Sequence, residues 1–184
     1  MPKPIIGKIK LKKPTRHTAL SLVALVLWCA FIFYMSARVA QDSDALSLGF
    51  AGRFLHLVVP GFSDMSTADQ LALAKSINHP VRKLAHFAEY LVLGALAINA
   101  LRLHVGSSER NPEDGANASS RNLLIPALSW AFCVLYAASD EFHQLFVPGR
   151  AGLVTDVCID SAGALLGIPL FLALLHLTSR RAKR

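Results

Sequence analysis

A short stretch at residues 139–150, SDEFHQLFVPGR, concentrates acids, a histidine, an amide and an arginine directly after an apolar run. Carboxylates and histidine exchange protons in general acid–base chemistry, and arginine binds anionic groups in bidentate geometry. If the apolar run forms a helix that continues past Ser139, then Asp140, His143 and Gln144 share one face of it. The stretch therefore predicts a polar site at the end of an apolar helix.

A Pro-Gly pair follows the acids. Pro148 presets the backbone for a turn, and Gly149 adopts conformations that other residues avoid. The pair predicts a sharp turn that brings Arg150 back over the polar site.

Two further apolar segments begin with clustered polar residues, RKLAHFAEY at 82–90 and TDVCID at 155–160. Side chains three, four or seven positions apart share a helix face. This spacing predicts four alignments: Lys83 with His86 and Tyr90; Arg82 with His86 and Glu89; Asp156 with Asp160; and, further along the last segment, Gly163 with Gly167. The glycine pair predicts close helix packing.

The composition is that of a small polytopic membrane protein. Of 184 residues, 53% are hydrophobic and only 17% are charged, a balance unlike that of soluble domains. The net charge of +7 comes from clusters at the ends of apolar runs, which indicates membrane orientation rather than nucleic-acid binding. Since a spanning helix needs about 20 apolar residues, we predict an all-α bundle of four transmembrane helices over residues 18–178, with spans near 18–37, 81–103, 122–142 and 153–177.

The connection at 38–80 predicts short helices in the outer interface. Residues 45–59 are apolar except for a narrow strip containing Gly49, Arg53 and His56, a pattern typical of an interfacial helix. The sequence Thr67-Ala-Asp-Gln70 predicts a capping box that opens a second short helix at about 68–77.

Most of the 19 Lys and Arg residues fall in three segments: tails at 1–17 and 179–184, and the connection at 102–121. Four spans place all three on one side, which the positive-inside rule makes cytoplasmic. We therefore predict a multi-pass membrane protein with both termini on the cytoplasmic side. The polar part of the connection, 106–120, predicts a loop.

This topology brings the three polar clusters together at the outer leaflet. An ionisable side chain costs about 2.5–3.5 kcal/mol at mid-membrane and less near the interface. The clusters therefore predict a hydrated pocket that opens outward. Lys83 and Arg150 would hold an anion, and His86 with Glu141 or Asp140 would move a proton or orient the ligand. The complete predicted ligand-binding set is Lys83, His86, Tyr90, Asp140, Glu141, Gln144, Arg150 and Asp156.

The motifs resemble those of the VanZ-like family of small bacterial membrane proteins. The family pattern Lys-x-x-His-Phe-x-x-Tyr-x-x-Leu-Gly is met from Lys83 to Gly94, and Asp-Glu-x-x-Gln-x-Phe-x-Pro-Gly-Arg is met from Asp140 to Arg150. A third motif runs from Asp156 to Gly163, with Asp160 where the family pattern has Asn. The resemblance covers about residues 20–177. It implies an integral protein of the bacterial cytoplasmic (inner) membrane and cell envelope, with an association with teicoplanin-type glycopeptide resistance. It implies no defined reaction.

Three hypotheses remain open from the sequence. In the first, the pocket binds an anionic membrane lipid or a lipid-linked envelope precursor. In the second, it performs acid–base catalysis on such a substrate. In the third, the protein is a proton-linked small transporter or flippase, which with only four spans would act as a homo-oligomer. We predict no cofactor. A metal site built from His86, His143 and Asp140 or Asp156 matches no standard ligand spacing, so we also predict no metal.

Overall fold

The computed structural model describes residues 15–38, 40–105 and 115–182. These residues form five α-helices, one 3₁₀ turn at Phe62–Asp64 and no strand, which confirms the predicted all-α class. The helices are α1 (Arg16–Ser36), α2 (Ala40–Val58), α3 (Thr67–Val105), α4 (Gly115–Gln144) and α5 (Val154–Arg181).

Four helices, α1, α3, α4 and α5, are long and apolar enough to cross a membrane. Their outward surfaces carry many exposed large apolar side chains, including Leu20, Val26, Leu135 and Leu165. Such a surface would be a liability in water, and it suits helices whose outer faces meet lipid. The bundle is therefore that of a multi-pass membrane protein.

Contacts between the helices fix their relative directions. Lys83 pairs with Asp156, and the backbones of Phe87 and Leu91 lie against Gly163 and Gly167 in turn. Residue numbers thus rise together along α3 and α5, which run parallel.

The fourth helix runs against this pair. Glu141 contacts Leu153 and Trp130 contacts Ser161, so α4 is antiparallel to α5. Tyr136 bonds to the carbonyl of Cys29, and His143 packs against Phe33, so α1 is parallel to α4. One end of the bundle therefore gathers the C-terminal ends of α1 and α4 with the N-terminal end of α5 and the middle of α3. We call this the polar end.

Glycine makes the closest helix contact in the bundle possible. A Cβ atom at Gly163 would collide with the carbonyl oxygen of Phe87, and one at Gly167 with that of Leu91. Gly94 on α3 lies equally close to the backbone of Ala164. Small residues on both helices let their backbones approach in the way typical of membrane bundles.

Aromatic side chains tie the helices together by donating to backbone carbonyls. Trp28 Nε1 donates to Glu89 O at 2.9 Å, Tyr136 Oη to Cys29 O at 2.6 Å, and Trp130 Nε1 to Ser161 O at 3.0 Å. Each bond satisfies an indole or phenol group that an apolar bundle would otherwise leave without a partner. A buried core of Ile32, Tyr90, Leu93, Ala97, Cys133, Ala137 and Ala164 fills the space between them.

The region outside the core bundle is a helical hairpin made by α2 and the first third of α3. Its own small core contains Ala51, Leu55, Phe62 and Ala74.

Two sequence predictions for this hairpin are wrong in detail. The capping residue is Ser66, which accepts from Asp69 N at 3.2 Å, and not Thr67. The predicted short helix at 68–77 does not end before the second span, because α3 continues through Pro80.

The reason for the uninterrupted helix is packing. Pro80 is exposed, so the hydrogen bond that its missing N–H removes lies on the solvent side. Residues on either side of it, Ile77 and Val81, pack against the hairpin core. At 1.5 Å per residue, a helix of 39 residues is about 58 Å long, nearly twice the about 30 Å of a bilayer core. The extra length of α3, at its N-terminal end, provides the surface against which α2 packs.

At the end of the bundle opposite the polar end, the observed helix bounds differ from the sequence predictions. We call this the basic end, because Arg16, Arg102, Arg180 and Arg181 lie there. The helix α4 begins at Gly115, so the last part of the predicted loop at 106–120 is helical; the rest lies outside the described residues. The helix α5 continues to Arg181, into the predicted 179–184 tail. Most of the predicted 1–17 tail also lies outside the described residues.

Candidate functional site

The polar end of the bundle holds a buried ion pair between Lys83 Nζ and Asp156 Oδ1. Only 16% of the Lys83 side chain and 12% of the Asp156 side chain are exposed. Thr155 Oγ1 also donates to the same carboxylate oxygen at 3.2 Å. Lys83 is thus engaged across the α3–α5 contact, and its predicted role as an anion ligand stays a prediction.

The neighbouring residue, Arg82, points to a different partner. Its Nη1 donates to Asp44 Oδ1 on α2 at 2.8 Å, and both side chains are partly exposed. This pair ties α2 to α3 beside the open part of the polar end.

The turn after α4 places Arg150 as the sequence predicts for a Pro-Gly pair. Arg150 N donates to Val147 O at 3.1 Å, and Gly149 has a φ of 76°. These features fit a type II turn, which takes Pro at its second position and requires a positive φ at its third. Pro148 and Gly149 therefore occupy the two central positions of the turn, each at the position that favours its residue type.

The Arg150 guanidinium reaches the C-terminal end of α1. Its Nε donates to Arg38 O at 3.2 Å and its Nη2 to Met35 O at 3.4 Å. Met35 lies in the last turn of α1, and Arg38 lies two residues beyond the end of that helix. Positive charge is favourable at the C-terminal end of a helix, where backbone carbonyls point outward. Burial lowers the pKa of Arg150, and nearby Arg82 acts in the same direction; Asp140, Asp44 and Glu141 oppose them.

An open cavity of about 240 Å³ lies between α1, α2, α3 and the Arg150 turn. Its walls are largely apolar. Its charged and titratable groups come from α3 and the turn, and α2 contributes Ser47. The lining residues are Met35, Leu46, Ser47, Phe50, Val81, Arg82, Ala85, His86, Glu89 and Arg150. The cavity thus combines three basic or titratable nitrogen groups and one carboxylate with an apolar wall.

The acids of the 139–150 stretch face inward. Asp140, Glu141 and Gln144 are all at most 4% exposed. Gln144 Nε2 donates to Asp140 Oδ2 at 3.4 Å, and Glu141 Oε2 accepts from Leu153 N at 2.8 Å. Glu141 therefore receives an amide at the start of α5, where N–H groups lack helical partners.

Behind these acids lie two fully buried polar residues, Tyr90 and Asp160. Within the described residues, the Tyr90 hydroxyl and both carboxylate oxygens of Asp160 lack a hydrogen-bond partner, as do Asp140 Oδ1 and Glu141 Oε1. We call Tyr90, Asp140, Glu141 and Asp160 the buried acid cluster.

The structure thus divides the predicted site residues into three groups. His86 and Arg150 line the open cavity, whereas Tyr90, Asp140 and Glu141 belong to the buried acid cluster, which Gln144 contacts. Lys83 and Asp156 form the ion pair beside it. The His143 ring packs against Phe33 of α1 in a tilted arrangement, with ring centroids 4.6 Å apart. In the parts of the chain that the structure describes, no group of three or more His, Cys, Asp or Glu side chains is placed to hold a metal ion.

Several cavity residues were not on the predicted list. Leu46 and Phe50 line the cavity from α2, and Asp44 of the same helix pairs with the cavity residue Arg82. The docking of α2 against α3 has no signature in local spacing. The amphipathic pattern of α2 indicated an interfacial helix but not which bundle helix it would contact. Glu89 was aligned with His86 by helical spacing, and the cavity confirms that both line the same space.

Four apolar helices, one polar end and a helical hairpin define a small polytopic helical membrane protein. The sequence model of the VanZ/LLP1 family matches residues 21–176, which is most of the chain, and the protein belongs to this family. No curated protein and no solved structure gives a significant match.

Proposed function

We propose that this protein binds the anionic headgroup of a membrane lipid or lipid-linked envelope precursor in the cavity at its polar end. The observation that carries the proposal is the amphipathic lining of that cavity. Arg82 and His86 of α3 and Arg150 of the turn line it together with the apolar Leu46 and Phe50 of α2. Arginine suits phosphate because its planar guanidinium forms paired charge-assisted hydrogen bonds.

The size of the cavity supports a headgroup rather than a whole lipid. Pockets for drug-sized ligands usually enclose about 300–1,000 Å³, and this one is smaller at about 240 Å³. The hydrocarbon part of the ligand would therefore lie outside it.

The exposed face of α2 offers a surface for that hydrocarbon. Leu46, Phe50, Phe54 and Leu57 recur at helical spacing and are 38%, 62%, 55% and 85% exposed. Leu46 and Phe50 belong both to this stripe and to the cavity wall. A chain lying along α2 would thus be continuous with a headgroup in the cavity.

The arrangement of charge supports a location in the outer leaflet of the cytoplasmic membrane. Arg16, Arg102, Arg180 and Arg181 lie near the helix ends opposite the polar end. If that basic end is cytoplasmic, then the cavity opens on the outer side, where lipid-linked envelope precursors are used. Binding there would alter how much precursor a teicoplanin-type glycopeptide meets.

A lipid-binding experiment tests the proposal directly. Purified protein in detergent is melted with added phosphatidylglycerol, a polyprenyl phosphate or zwitterionic phosphatidylcholine. We expect the two anionic lipids to raise the melting temperature more than the zwitterionic one. Arg82→Gln and His86→Gln should reduce that difference, whereas Arg53→Gln, on the exposed face of α2 outside the cavity, should keep it. Equal responses to all three lipids would refute the proposal.

A cellular experiment tests the link to glycopeptides. Strains carrying His86→Ala or Arg82→Gln are compared with the unaltered strain for teicoplanin susceptibility, with membrane abundance measured in each. The expected result is a change in susceptibility at normal abundance. An unchanged susceptibility in both variants would separate lipid binding from any resistance role.

A second candidate function, acid–base catalysis, rests on one specific observation. His86 and Glu89 are one helical turn apart and line the same open cavity, where a histidine and a carboxylate could exchange protons with a bound substrate. Glu141 is the weaker partner for His86, because its Oε2 already accepts the Leu153 amide. Glu89→Gln should abolish turnover of a lipid-linked substrate while keeping its binding; retained turnover would exclude this pair.

A further inference from the structure

The buried acid cluster presents a charge problem that the open cavity does not. Asp160 has no exposed surface, and neither of its carboxylate oxygens has a hydrogen-bond partner within the described part of the chain. A buried carboxylate without compensation costs several kcal/mol. Something must neutralise it.

Groups on every neighbouring helix make the problem larger. Asp160 interacts electrostatically with Glu141 and Asp140 on α4, with Asp156 on its own helix and with Glu89 on α3. All four neighbours are acids, so none can neutralise Asp160.

The nearby cations are already used. The Lys83 ammonium is paired with Asp156, and the Arg150 guanidinium donates to the carbonyls of Arg38 and Met35. In residues 15–38, 40–105 and 115–182, the salt bridges are those of Arg82 and Lys83. No lysine or arginine there forms an ion pair with Asp160.

A second group points into the same place. The Tyr90 hydroxyl belongs to a fully buried residue of α3 and has no hydrogen-bond partner among the described atoms. It interacts electrostatically with Asp140 and Asp160. Tyrosine supplies one O–H donor, whereas the unpartnered carboxylate oxygens around it are all acceptors. The buried Ser36 hydroxyl of α1 is a second donor and acts on Asp140, but the unpartnered carboxylate oxygens still outnumber the donors. One bound proton supplies both a missing donor and a missing positive charge.

We propose that the buried acid cluster is a proton-binding site in which Asp160 carries the proton. The Asp160 carboxylate takes up one H⁺ and becomes a neutral carboxylic acid, whose O–H is a donor among the unpartnered acceptors of the cluster. Glu89 connects this site to solvent, since it lines the open cavity and interacts with Asp160. The proposal does not depend on what the cavity binds.

Infrared spectroscopy of the full-length protein in detergent tests the proposal. A protonated carboxylic acid gives a C=O stretching band separate from the carboxylate bands, and carboxyl-¹³C labelling of aspartate shifts that band only if an aspartate carries it. We expect such a band at neutral pH, shifted by the label and reduced by one carboxyl group per chain in Asp160→Asn. Asp64→Asn, at an exposed position in the 3₁₀ turn, should keep the full band.

Three results would overturn the assignment. The first is the absence of the aspartate band at neutral pH, and the second is an Asp160→Asn spectrum that matches the unaltered protein. The third is a rise in melting temperature that is specific to Na⁺ over K⁺ and lost in Asp160→Asn, which would make the ligand a metal ion. If Asp160→Asn does not fold, Tyr90→Phe provides the decision. Because the Tyr90 hydroxyl interacts electrostatically with Asp160, its loss should shift the frequency of the band, and an unshifted band refutes the assignment to Asp160.

Discussion

Arg82 and Lys83 are adjacent in the chain, yet they belong to two regions with opposite properties. Arg82 lies at the open cavity and pairs with Asp44, with 32% and 45% of the two side chains exposed. Lys83 lies at the α3–α5 contact and pairs with Asp156, with only 16% and 12% exposed. Successive residues on a helix point about 100° apart, so one step along α3 moves from hydrated pocket to protein interior.

The difference separates groups that can serve a ligand from groups that hold the structure. Water at the cavity can screen Arg82 and can be displaced by an incoming anion. At the α3–α5 contact, charge is compensated by protein, as in the Lys83–Asp156 pair, or must be removed, as at Asp160. Basic residues near a membrane site are therefore not equivalent candidates for anion binding, and burial distinguishes between them.

The strongest test of the comparison is the loss of one buried partner. Lys83→Ala should lower the free energy of unfolding by about 3–5 kcal/mol, because it leaves Asp156 buried and unpaired. The combined change Lys83→Met and Asp156→Leu should recover most of that loss, since apolar residues of similar volume replace a buried pair at little cost. Denaturant titration in mixed micelles measures both. If Lys83→Ala lowers the free energy of unfolding by less than about 1 kcal/mol, then water solvates the Asp156 carboxylate, and the contrast between the two regions fails.

The acid at the start of α5 gives the next largest effect. Glu141→Ala should cost about 1.5–3 kcal/mol, because the Leu153 amide loses a charged acceptor. Glu141→Gln keeps an acceptor oxygen and should cost less. If Glu141→Gln is as unstable as Glu141→Ala, then the Leu153 hydrogen bond is not what Glu141 contributes. Circular dichroism melts in the same detergent compare the two variants.

The α3–α5 contact itself can be tested with glycine substitutions. Gly167→Ala should destabilise the protein by about 1–3 kcal/mol, because its Cβ would meet the Leu91 carbonyl oxygen. Gly49→Ala on α2 is the matched control, since no neighbouring atom lies within 4 Å of its added Cβ and alanine is favoured over glycine in helices by about 0.5–1 kcal/mol. Equal effects at the two positions would contradict the close approach of α3 and α5.

The smallest effect is expected at the open cavity. Asp44→Asn should change the free energy of unfolding by about 0.2–1 kcal/mol, as for other partly exposed ion pairs. It should also leave Arg82 freer to bind an anion, so the response to phosphatidylglycerol should rise. A loss of stability similar to that of Lys83→Ala would remove the distinction between the two regions.

The spans could be predicted from the sequence because length and apolar composition determine which segments can cross a bilayer. The predicted continuation of α4 past Ser139 is also confirmed, since this helix ends at Gln144. The continuity of α3 could not be predicted, because Pro80 is a local signal for a break and the packing of Ile77 and Val81 against α2 is not local. The cap at Ser66 instead of Thr67 is a shift of one residue, within the usual ambiguity of helix ends.

The candidate site was predictable in its location and less so in its pairings. Helical spacing and the alternation of spans place Lys83, His86, Glu141 and Asp156 at one end of a bundle. Which of them pair depends on how α3 and α5 rotate about their axes, and the two glycines of α5 set that geometry. The Asp44–Arg82 pair joins residues 38 positions apart, so no local spacing predicts it.

The aromatic donors that tie the helices together also give the protein an internal optical reporter. The chain has two tryptophans, and Trp28 donates its indole N–H to the carbonyl of Glu89, the residue that faces the cavity and interacts with Asp160. Indole fluorescence depends on the polarity and hydrogen bonding around the ring. In a protein whose Trp130 is replaced by phenylalanine, the emission of Trp28 alone would follow changes at the cavity wall in real time, without an attached dye.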